Sequence, residues 1–62
     1  MTNAKIWAKR EIERDTDTIQ ELRNLRRMAF EDGDRKKYDR YTRDIRELNE
    51  NIKGLKESYG IE

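Results

Sequence analysis

Read at every third and fourth residue, the chain from Tyr38 gives Tyr38, Tyr41, Ile45, Leu48, Ile52, Leu55 and Tyr59. The alternation of three-residue and four-residue steps never breaks. Such spacing holds side chains on one stripe of a long helix, so the pattern predicts a helix over about 35–59. The N-terminal half carries a second helical pattern over about 3–30, less regular than the first. At 100° per residue, Ala4, Trp7, Ala8, Ile12, Ile19, Leu22, Leu25, Ala29 and Phe30 fall within one broad arc. Glu11, Asp15, Thr18 and Arg26 interrupt that arc, while Ile6 and Met28 lie outside it.

Between the two patterns, Glu31-Asp32-Gly33-Asp34 is the one good turn. Gly33 is suited to the left-handed conformation that ends a helix, and Asp34 to capping the next one. Thr2 or Asn3 would cap the first helix, and Gly60 would end the second with Ile61 folding back on it. A turn this short forces its helices antiparallel, so the expected unit is one all-α helical-hairpin domain over 1–62. One register pairs Ala8 with Tyr59, Ile12 with Leu55, Ile19 with Leu48, Leu22 with Ile45 and Ala29 with Tyr38. Small residues then face large ones at both ends, as efficient packing requires. Arg26 falls opposite Tyr41, where its guanidinium could stack on the ring. Asp15 falls opposite Ile52, the one awkward layer, as a polar group at the core edge or a device that fixes register.

The flanks of the second stripe bear on assembly. Beside it lie Thr42, Asp44, Asn49, Asn51, Lys56 and Ser58, mostly uncharged, whereas the outer positions are nearly all charged. A two-stranded coiled coil would place Glu and Lys beside its seam, while a four-helix bundle half-buries those positions. The chain is therefore expected to dimerise, two hairpins forming a four-helix bundle. The expected core and interface residues are Ile12, Ile19, Leu22, Leu25, Tyr38, Tyr41, Ile45, Leu48, Ile52, Leu55 and Tyr59. Composition points the same way. A chain of 62 residues makes a marginal monomer unless it is crosslinked, metal-bound or oligomeric. With no Cys and no His, disulfides and zinc sites of the usual kind are ruled out, leaving oligomerisation.

Charged residues make up 47% of the chain, yet 15 Lys and Arg nearly balance 14 Asp and Glu. Overall charge thus selects no partner. Apolar runs are far shorter than the ~20 residues of a membrane span, so no membrane association is expected and the cytoplasm is the expected location. Carboxylates alternate with Lys and Arg, as in Asp39–Arg43 and Arg46–Glu50, a pattern of solvated helix faces. Asp32 and Asp34 lack the following oxygen ligands of a calcium loop. Tyr41-Thr42-Arg43-Asp44-Ile45-Arg46 resembles, in polarity and aliphatic position, the Ser-Gln-Glu-Leu-Asp motif of bacterial helical-hairpin phosphatases acting on response regulators. Arg46 reverses the charge of that motif's terminal acid, so the resemblance implies the hairpin plan and not the activity. Neither catalysis nor a cofactor is expected.

Function is then expected to lie in binding. Ile6, Trp7, Met28 and Phe30 are apolar residues that the simplest bundle does not fully use, and they are candidate contacts for another protein. The alternative is nucleic acid. From Arg23 to Arg46 there are nine basic residues against five acidic ones, which makes the hairpin tip basic. Arg23, Arg27, Arg35, Lys36, Lys37, Arg40 and Arg43 could contact phosphates there, with Tyr38 beside them for stacking.

Overall fold

The computed structural model describes residues 3–62. Within them the chain forms two α-helices, α1 (Asn3–Glu31) and α2 (Arg35–Tyr59), which pack on each other with no strand. α1 runs uninterrupted because neither glycine nor proline occurs along it. Its end is set by Gly33 at φ 72°. The Gly33 amide donates to the Phe30 carbonyl and the Asp34 amide to the Ala29 carbonyl, the double closure of a Schellman motif. Asp34 also starts α2, its carboxylate accepting from the Lys37 amide at 3.1 Å. At Gly60 the backbone again turns left-handed, and the Ile61 amide reaches the Lys56 carbonyl at 2.9 Å. Ile61 is half-buried there, folded back as expected. The proposed cap at Thr2 lies outside the described residues.

The seam between the helices follows the expected register. Ala8, Ile19, Ala29 and Ile45 are buried. Ile12, Asp15, Leu22 and Arg26 from α1, with Tyr38, Tyr41, Leu48, Ile52, Leu55 and Tyr59 from α2, are half-buried. Trp7 meets Tyr59 edge-on with ring centroids 6.1 Å apart, and Phe30 meets Tyr38 at the same separation. These contacts lie one residue to either side of the Ala8–Tyr59 and Ala29–Tyr38 layers.

The broad arc read on α1 needs correction. Packed against α2, the helix turns inward a strict three-and-four series: Ala8, Ile12, Asp15, Ile19, Leu22, Arg26 and Ala29. Ala4, Trp7, Leu25 and Phe30 are exposed, so Leu25 lies outside the core of the single hairpin. A straight-helix projection drifts by roughly 20° per heptad relative to a seam that follows its partner, so it spread the arc too wide. Arg26 does not stack on Tyr41 as expected. Its guanidinium lies 5.7 Å from the Tyr38 ring centroid and donates to the Thr42 hydroxyl at 3.4 Å. A charge left inside the seam would be desolvated, and both partners lie on the edge where the guanidinium escapes.

The molecule is a rod of 46 × 15 × 14 Å. Among the described residues, no helix is long and apolar enough to cross a membrane.

Candidate functional site

The seam leaves two long flanks, and they differ in chemistry. One is formed by the residues that immediately precede seam positions. On α1 these include Trp7, Glu11, Thr18, Leu25 and Met28; on α2 they include Lys37, Arg40, Asp44, Glu47, Asn51, Gly54 and Ser58. Two adjoining grooves run along this flank and share Asn51. The first is lined by Trp7, Glu11 and Asp15 across from Glu50, Asn51, Gly54, Leu55 and Ser58. The second is lined by Thr18 and Leu22 across from Asp44, Glu47, Leu48 and Asn51. Their floors are seam leucines and their walls mostly small polar or acidic side chains, with Trp7 closing one end of the first. Glu11 is tied to Arg14 at 3.7 Å.

The opposite flank carries the residues that follow seam positions, among them Arg23, Phe30, Thr42 and Asn49, with Arg27 and Arg46 beyond them. Phe30, 73% exposed, stands over Tyr38 at the tip. A shallow open hollow there is lined by Ala29, Phe30, Gly33, Asp34, Arg35 and Tyr38.

The expected phosphate contacts Arg23, Arg27, Arg35, Lys36, Lys37, Arg40 and Arg43 are all exposed, but they do not share a face. Arg23 and Arg27 lie on the flank of Phe30, Lys37 and Arg40 on that of Trp7, and Arg43 points outward between them. Several are already engaged. Arg35 pairs with Asp39 at 3.2 Å, Lys37 with Asp34 at 4.0 Å, and Arg27 donates to the Asn24 side chain.

The expected protein contacts divide more sharply. Trp7 (51% exposed) and Met28 (57%) stand on one flank together with Leu25 (42%), whereas Ile6 and Phe30 belong to the other. The sequence reading left Met28 without a face. The signal was present, because Met28 lies three heptads beyond Trp7 and precedes buried Ala29 as Trp7 precedes buried Ala8. Among the described residues, no cluster of side chains could hold a metal ion.

No protein-family model, curated protein or solved structure matches the chain.

Proposed function

We propose that the chain is a non-catalytic helical module that acts by binding protein, and that it works as a dimer of hairpins packed into a four-helix bundle. The observation that supports this reading is the distribution of large apolar side chains. Ile6, Trp7, Leu25, Met28 and Phe30 are all exposed and all on α1, and only Trp7 and Phe30 among them touch a seam ring, each along one edge. Exposed apolar groups concentrated on one element are the usual mark of a surface that meets another chain. With two flanks to fill, one serves the second hairpin and the other remains for a partner.

Mass in solution by light scattering tests the dimer, and a mass of one chain at high micromolar concentration would remove it. A pull-down comparing wild type with Phe30→Glu and Ile6→Glu tests the partner surface. The expected result is loss of the bound protein with helicity and mass unchanged; the same bound proteins in both samples would contradict the assignment.

A second reading is nucleic-acid binding at the tip, favoured by Phe30 standing exposed beside Tyr38 and next to Arg23 and Arg27. It predicts retention of single-stranded RNA that weakens steeply with salt. The scatter of the remaining basic residues around the rod makes it the weaker of the two.

A further inference from the structure

We infer that the flank bearing Trp7, Leu25 and Met28 is the dimer interface, and that a second copy of the chain lies on it antiparallel, its tip against the first copy's termini. This rests on the dimeric reading and assigns the face and the orientation, which that reading leaves open.

Four observations carry it. The first is surface. The hairpin exposes 5123 Å², whereas a compact monomer of its 7.6 kDa mass exposes about 4300 Å² on the usual scaling. The excess is what a rod one helix pair thick leaves uncovered.

The second is the placement of apolar groups. Trp7 stands near the end that carries the termini, Leu25 and Met28 near the tip. A two-fold axis across the rod, near Thr18 and Asn51, carries Trp7 of each copy onto Leu25 and Met28 of the other. A self-complementary patch of this kind is what an isologous interface requires. Third, the middle of the flank is low. Thr18, Asn51 and Gly54 let two helix pairs approach, and a Cβ built on Gly54 would meet nothing within 4 Å.

Charge decides the orientation. Set parallel, with the two-fold axis along the rod, each α1 would face the other copy's α2 at its own level, laying Leu25 and Met28 against Lys37 and Arg40 and Trp7 against Ser58. Closing apolar side chains under unpaired charges would desolvate those charges. Set antiparallel, each α1 faces the other copy's α1, so Trp7 lies against Leu25 and Met28, while Lys37 and Arg40 fall near the C-terminal end of the other copy's α2.

The chain has no cysteine, so single-cysteine variants report the geometry directly. Light scattering and oxidative cross-linking are applied to Thr18→Cys, Met28→Cys, Thr16→Cys and an equal mixture of Ala4→Cys with Met28→Cys. The expected pattern is a dimer mass, self-linking of Thr18→Cys at the axis, no self-linking of Met28→Cys, and linking of Ala4→Cys to Met28→Cys in the mixture. Leu25→Glu is expected to weaken association at least tenfold while keeping helicity. A dimer in which Ala4→Cys and Met28→Cys fail to join in the mixture, or in which Met28→Cys joins itself, overturns the orientation. A dimer in which Thr16→Cys is joined and Thr18→Cys is not moves the interface to the other flank. Either result leaves the dimeric reading standing, whereas a mass of one chain removes both.

Discussion

Gly33 concentrates the demand of the whole turn on one residue. Its φ of 72° lies where an L side chain costs roughly 1–2 kcal/mol, partly offset by the stiffer unfolded chain of the variant. Gly33→Ala should therefore destabilise the hairpin by about 1 kcal/mol, a fall in melting temperature of roughly 4–8 °C on thermal unfolding. An unchanged transition would show that the turn tolerates another closure. Asp15 is the opposite case, a residue whose place in the fold opposes its chemistry. It occupies a seam position opposite Ile52, half-buried, and lines the groove beside Trp7 and Glu11. Replacing it with leucine should raise stability by about 1 kcal/mol through added apolar burial. If Asp15→Leu also leaves a single oligomeric form by light scattering, Asp15 is only an acid at the seam edge. Mixed forms would mark it as the group that fixes register.

For α2, the alternation of three and four steps already stated which side faces inward, because every seam position there is large and apolar. The same rule applied to α1 was obscured by its own residues. Asp15 and Arg26 sit where apolar groups belong, and Trp7, Leu25 and Phe30 sit where polar ones belong, so amphipathicity alone pulled the face toward the flank. Only pairing against α2 resolves it, since Ala8 and Ala29 are buried by Tyr59 and Tyr38 and not by their own hydrophobicity. The path of Arg26 to Tyr38 and Thr42 was beyond such reasoning, because it depends on rotamers and on which edge meets water. Gly54 remains the weak point of α2, a helical glycine with open space around it. Gly54→Ala should gain up to ~1 kcal/mol in helix propensity yet weaken association, because the added methyl stands where the second copy approaches, read by circular dichroism melts and light scattering. Association unchanged by the substitution would place that backbone away from the second copy.

The molecule is a rod in which, among the described residues, no large side chain is fully buried, and its stability should be shared with whatever covers the flank. Melting temperature is accordingly expected to rise with protein concentration, as mass action requires of a dimer whose separated chains are marginal. Melts at two concentrations a hundredfold apart, giving the same midpoint, would contradict this. The capped turn at Gly33 and Asp34 has one more consequence, which concerns order in time. Phe30 and Tyr38 are near neighbours along the chain, whereas Trp7 and Tyr59 are separated by almost all of it. The entropy of closing a contact therefore grows steadily from the tip outward, and each layer shortens the loop left for the next. The hairpin should close like a zipper from Gly33 and open from the other end, on the fast timescale of proteins with short-range contacts. Amide hydrogen exchange would then be graded along the rod, slowest in the helical turns nearest the tip and fastest toward Trp7 and Tyr59. In the antiparallel dimer, the firmest part of each chain would lie against the most labile part of the other.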